Sequence, residues 1–179
     1  MWQAGATFGQ DAAPALHDWF IRLAGQWRVV REARDGSCFE GVATFTPAGD
    51  NSLDLEERGE LVLPGGETLP ASRRWHWRLS AGNMLEINYP QEAGGQPYHR
   101  FRLVREAGMW MGEAEHLCGR DIYRARYRLG VDELRIDHRI LGPAKDYLLN
   151  ARYQRSWPAI EEKLVKIFLA ATRPDSGIG

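Results

Sequence analysis

His116, Cys118, Asp121 and Tyr123 lie in one short run, His116-Leu117-Cys118-Gly119-Arg120-Asp121-Ile122-Tyr123. A hairpin turning at Gly119 and Arg120 would put His116 and Cys118 on one strand face and return Asp121 close to them on the next strand. A carboxylate beside an imidazole fixes its tautomer and raises its basicity. His116 is then a candidate general base and Tyr123 a proton donor, with Lys145 as a further catalytic candidate. The chemistry would be proton transfer of the isomerase, cyclase or lyase type. The plainer reading is a polar network that pins the hairpin. Cys118 as a nucleophile activated by His116 is poorly aimed along a strand, and a buried, inert thiol is the commoner outcome.

His99, His116 and His138 fall on different predicted strands with inward parity. Three imidazoles could hold zinc or iron, with Asp121 behind them, or one could ligate haem. The close ligand spacings of zinc sites are absent, so no metal or other cofactor is assigned. Glu57 with Arg73 reads as an interior ion pair; alternatively Arg73, Lys145 and Arg155 could receive an anionic group on a ligand. There is no phosphate-cradling glycine loop, no G-x-S-x-G and no paired C-x-x-C.

Elements must position these residues. Residues 11–24 read as a helix with Leu16, Phe20 and Leu23 on one face and Trp19 beside them, Asp11 as N-cap and Gly25 as stop. From Trp27 to Arg155 the hydrophobic period changes to two. Turn chemistry recurs at 35–36, 48–51, 64–66, 81–83, 93–95, 107–108, 118–119, 130–132 and 142–143, separating about ten strands. The connections are too short for crossover helices, so the sheet is an antiparallel meander, and a meander this long closes to remove its edges. A second amphipathic helix is predicted at 157–171, with Ile160, Leu164, Ile167, Phe168 and Ala171 as its apolar stripe.

Taking the more apolar parity of each strand as inward places many polar groups inside: Glu57, Arg73, His99, His116, Asp121, Tyr123, His138, Lys145, Tyr147 and Arg155. Buried polar groups must be paired, protonated or wet. Gly41, Gly59, Gly112 and Ala114 sit among them and, being small, leave volume. Convergent polar groups with aromatic walls are the signature of a ligand cavity. Trp75, Trp77, Trp110, Phe101 and Tyr127 would form its walls. Its ligand-contacting set would also include Glu57, Arg73, His99, Cys118, His138 and Tyr147.

The chain has 179 residues, 44% of them hydrophobic, and a net charge of -1. That size suits a single domain, and the near-neutral balance argues against nucleic acid or anionic membrane as a partner. Two cysteines are too few for a disulfide scaffold, and the first ten residues carry neither a basic region nor an apolar core. The expected location is cytoplasmic.

Two motifs carry a resemblance. Gly25-Gln26-Trp27, opening the first strand after a short helix, resembles the G-x-W of lipocalins and their calycin relatives, in which the Trp closes one barrel end under an arginine of the last strand. Arg155 stands in that place. The run from His116 to Tyr123, with Gly142-Pro143-Ala144-Lys145-Asp146-Tyr147, is similar to the two signatures of a bacterial family of unknown function, number 6314. That resemblance runs from Leu23 to Arg155. It implies a calycin-like barrel, no established activity, and marked positions at Trp27, Glu57, Gly59, Arg73, His116, Cys118, Asp121, Tyr123, Lys145, Asp146, Tyr147 and Arg155.

The expectation is an all-β, closed, antiparallel up-and-down barrel of about ten strands, spanning 26–156 and flanked by two helices. Its expected function is binding of a small, partly polar or anionic organic molecule in the interior. The alternatives are acid–base catalysis by the same cluster, or a structural protein, with a homodimer possible.

Overall fold

A computed structural model describes residues 15–143 and 145–156, with Lys145 described in its backbone only. A short helix, α1 (Leu16–Ile21), precedes eleven strands: β1 (Gly25–Ala33), β2 (Cys38–Gly49), β3 (Ser52–Val62), β4 (Thr68–Ser80), β5 (Met84–Asn88), β6 (Pro97–Arg102), β7 (Val104–Glu106), β8 (Met109–Cys118), β9 (Asp121–Leu129), β10 (Glu133–Gly142) and β11 (Lys145–Arg155). The start of the expected first helix, at 11–14, and all of the one expected at 157–171 lie outside the described residues. Among the described residues no helix is long and apolar enough to cross a membrane.

All the strands form one antiparallel sheet, ordered β6-β5-β4-β3-β2-β1-β11-β10-β9-β8-β7. Each pairs with its sequence neighbours, except that β6 and β7 do not pair with each other, and β1 also pairs with β11, setting Trp27 opposite Arg155. The two edges, β6 and β7, are thus consecutive in the chain. The sheet curls until β6 lies against β8. There the Phe101 ring of β6 occupies the space a side chain at Gly112 of β8 would need, 2.2 Å from its Cβ position. Side-chain packing, not a ladder, closes this seam, so the barrel is nearly closed.

The strand count exceeds the expected ten because the 97–106 segment splits at Leu103. Its backbone N–H leaves the ladder and donates to Asn83 O at 2.8 Å. No turn residue signals that break, since Leu103 is buried and keeps the inward parity.

Period two holds along most strands. In β10, Leu134, Ile136, His138 and Ile140 are buried. Outward residues make cross-strand ion pairs, Arg126 to Glu113 and Arg124 to Glu115, each at 2.8 Å. Such exposed pairs add little stability and mainly keep the wall wet.

One end of the barrel is sealed. Leu16, Trp19, Phe20 and Leu23 drive α1 into the core, where Trp19 Nε1 donates to Gly130 O at 2.8 Å. Trp27, fully buried, donates its Nε1 to Leu23 O at 2.8 Å. The Arg155 guanidinium lies 4.3 Å from the Trp27 ring and donates to the carbonyls of Arg22, Ala24 and Val131. A cation over an aromatic face and three carbonyl acceptors together fix the helix across the barrel mouth.

The small residues do not open the interior as expected. A Cβ at Gly41 would lie 2.2 Å from Arg58 O, and one at Gly59 2.1 Å from Glu40 O. These two glycines, paired in register, let β2 and β3 approach, and Gly112 is filled by Phe101. Each spends its missing side chain on backbone or ring contact, not on cavity.

Candidate functional site

The interior holds a charged network built by register. Alternation along β3 turns Glu57 inward, and the β3–β4 ladder sets Arg73 directly opposite. Arg73 grips the carboxylate with both sides of its fork, Nε to Oε2 at 2.7 Å and Nη2 to Oε1 at 3.0 Å. Tyr153, reaching from β11, donates its hydroxyl to Oε1 at 2.6 Å. Arg31, reaching over β2 from β1, donates Nη2 to Oε2. Burial pushes the Glu57 carboxyl up, but Arg73 and Arg31 outweigh it and hold the group below its ordinary value. Two guanidiniums share one carboxylate, so the network carries net positive charge within the barrel. The Nε of Arg31 is buried without a hydrogen-bond partner among the described residues.

A ring cluster lies beside it, toward the end opposite α1. The β5–β6 register shifts at Ile87/Asn88: Ile87 pairs with His99 and Asn88 with Pro97, leaving Tyr98 without a ladder partner. That bulge breaks the alternation, so the consecutive residues Tyr98 and His99 both meet inward rings. Tyr98 stacks on Trp75 (centroids 4.7 Å, planes at 28°) and on His99 (3.9 Å, 27°). It also meets Tyr89 at 5.7 Å and, across the β6–β8 seam, His116 at 5.1 Å. Burial pushes the Tyr98 hydroxyl up to about 12.

His99 and His138 lie deeper, rings stacked at 5.9 Å. His99 Nδ1 is 2.5 Å from the buried Tyr127 hydroxyl. Burial, then the neighbouring His138 and His116, hold His99 down to about 3; burial, then Arg73 and Arg31, hold His138 to about 4. Both imidazoles are neutral at pH 7. His99 Nε2 and His138 Nδ1 are buried and make no hydrogen bond among the described residues, and the same is true of Trp77 Nε1.

Between the two clusters is a cavity of about 20 Å³, bordered by Arg73, Trp75, Trp77, Tyr98 and His138 among others. That volume admits about one water. The space is small because aromatic rings fill the volume that the glycines were expected to leave. It also leaves no space for a haem macrocycle beside these histidines. Among the described residues no group of three His, Cys, Asp or Glu side chains is placed to hold a metal.

The 116–123 hairpin forms at the open end. Its register sets His116 opposite Tyr123 and Cys118 opposite Asp121. Tyr123, with its ring 6.3 Å away, therefore faces the imidazole. The Asp121 carboxylate reaches β10, where a Cβ on Gly142 would meet its Oδ1 at 1.9 Å. Cys118 is exposed, not a buried thiol, because it ends its strand at the rim, beyond the packed interior. Tyr147 is half-buried in β11, opposite Ile140. Trp110 starts β8 at the α1 end, under the Arg105 guanidinium at 5.4 Å, and takes no part in the cluster. Trp77 is a core residue, edge-on to Phe45 at 5.3 Å, with one face on the small cavity.

Sequence reasoning missed four participants, the first being Tyr153, which has inward parity in β11 but had no assigned role. Arg31 continues the inward parity of Trp27 and Val29, a legible signal. Tyr89 had inward parity but no assigned role; its ring lies 5.1 Å from Trp75. Tyr98 had no signal, since its placement depends on the bulge.

The family model for DUF6314, described as a family of unknown function, matches residues 23–155. Comparison with curated protein sequences returns no match. Among solved structures the chain is similar to Rv2717c from M. tuberculosis, with a TM-score of 0.56 and 15% identity over 80% of this chain and 99% of that one. It is also similar to the S-type phycobiliprotein lyase CPES from Guillardia theta, with a TM-score of 0.53 and 10% identity over 80% and 94% of the two chains. At such identities the likeness shows the barrel fold alone.

Proposed function

The chain belongs to the family of unknown function DUF6314, and from its geometry we propose that it binds a small organic anion at the end of the barrel opposite α1. The observation that carries this reading is the charge imbalance of the interior: two guanidiniums, Arg31 and Arg73, on the single carboxylate of Glu57. Uncompensated buried charge is costly, and an anion arriving at the half-buried Arg73 would relieve it with charge-assisted hydrogen bonds. The Arg73 guanidinium lies 5.7 Å from the Trp75 ring, so cation and aromatic wall are presented together. Neutral His138 offers a further polar contact at the same cavity through its unpartnered Nδ1.

The test is isothermal titration with small carboxylates and their neutral amides. Carboxylates should bind about tenfold tighter or better than the matching amides, with binding weakened by salt. Equal affinities for acid and amide would sink the proposal. The acid–base alternative draws on His116 facing Tyr123; it predicts a chemical change in a bound ligand that His116→Ala abolishes while binding persists.

A further inference from the structure

We infer that Tyr98 occupies the ring subsite of this pocket, and that the ligand is a planar aromatic acid whose ring takes the place of the Tyr98 phenol. The inference rests on the small-anion reading and names the ligand class for it.

The two ring faces against Tyr98 are held from outside the contact. His99 is fixed by its Nδ1 contact to the Tyr127 hydroxyl at 2.5 Å, and Trp75 by its place in β4 and by Tyr89 at 5.1 Å. Tyr98 sits where the backbone pairing is weakest. It has no ladder partner in β5, and its strand is a sheet edge that meets β8 through side chains only. Rotating it out of the cluster therefore sacrifices ring contacts but no ladder bond. The phenol also borders the 20 Å³ cavity shared with Arg73, Trp75 and His138. Its departure would join that cavity to a flat slot of aromatic-ring shape. A planar guest would recover the stacking on Trp75 and His99 that Tyr98 gives up. Its acid group would meet Arg73, and its inner edge the unpartnered Nδ1 of His138. A puckered ring of the same size would keep the ion pair but lose the stacking. Tyr98 is thus a specificity-determining residue: the site selects flat rings because a flat ring already fills it.

Benzoate and cyclohexanecarboxylate separate planarity from charge. Their binding is measured by titration to the wild type and to Tyr98→Ala, with Tyr98→Leu as a second variant should the alanine form fail to fold. The wild type should prefer benzoate by about tenfold, the value of one good aromatic contact. Removing the phenol should tighten benzoate by about a further tenfold, since nothing need be displaced. If both acids bind the wild type equally, and the variants do not separate them, the ring subsite is wrong while the anion site stands. If neither acid binds any form, the anion reading falls and this inference with it.

Discussion

Tyr153 donates its hydroxyl to Glu57 Oε1 at 2.6 Å, joining β11 to β3 over residues 96 apart in sequence. This bond and the Arg73 fork make Glu57 the hub of the interior. Glu57→Gln would leave two guanidiniums without a charge partner and should cost about 3–5 kcal/mol, read from urea denaturation. Tyr153→Phe removes the hydroxyl's bond to Glu57 and the 3.1 Å bond it accepts from Arg73, but it leaves the ion pair whole and should cost less, about 1.5–3 kcal/mol. A larger loss for the tyrosine variant would contradict the assigned hierarchy.

Acid should destabilise the fold from a higher pH than carboxylates alone would dictate. His99 and His138 sit at about 3 and about 4, against an ordinary value of 6.5. Between those limits the unfolded chain binds protons that the native barrel refuses. Their contribution is therefore complete above about pH 6.5 and is lost as pH falls toward the folded values. Each histidine steepens the loss by about 1.4 kcal/mol per pH unit. His138→Gln should remove one proton from the slope of stability against pH near pH 5. Glu57, held below its ordinary 4.5, adds its own loss lower down. A flat profile between pH 6.5 and 4.5 would refute the buried neutral pair.

Gly41→Ala should be worse than Gly112→Ala. The first sets a methyl 2.2 Å from the Arg58 carbonyl, in laddered backbone; the second meets the Phe101 ring, a side chain that shifts without breaking a ladder bond. Overpacking of the second kind costs about 1–3 kcal/mol. The measurement is thermal denaturation of both variants, and reversal of their order would count against the pinched β2–β3 approach.

The two thiols should differ in reactivity. Cys118 is exposed and Cys38 half-buried. Limited labelling of the native protein with maleimide, mapped by peptide mass, should modify Cys118 first. Preferential labelling of Cys38 would mean that the β8–β9 hairpin is placed wrongly.

Much of this arrangement was readable in advance, because a strand exposes its faces by simple alternation. That alternation found Glu57, Arg73, His99 and His138 inside, and the turn residues marked nine breaks in the chain. It failed where geometry departs from period two. The bulge at Tyr98 sends consecutive side chains to one side, and Leu103 leaves the ladder without a turn residue to announce it. It also failed on volume. A glycine tells a reader that a side chain is missing, but not whether solvent, a ring or a neighbouring strand takes the space. Gly41, Gly59 and Gly112 all admit protein, and the cavity shrank accordingly.

The position of the seam has a topological consequence. β1 and β11 lie side by side in mid-sheet, with Ser156 N–H bonded to Gln26 O at 3.0 Å, while the free edges fall between β6 and β7. Chain order is thus a cyclic rotation of sheet order. A permutant that links residue 156 to residue 15 and opens at Leu103 would run as an uninterrupted meander from β7 through β11 and β1 to β6. Every ladder would survive the cut, and the new termini would emerge at the one line where the barrel is joined by side chains alone.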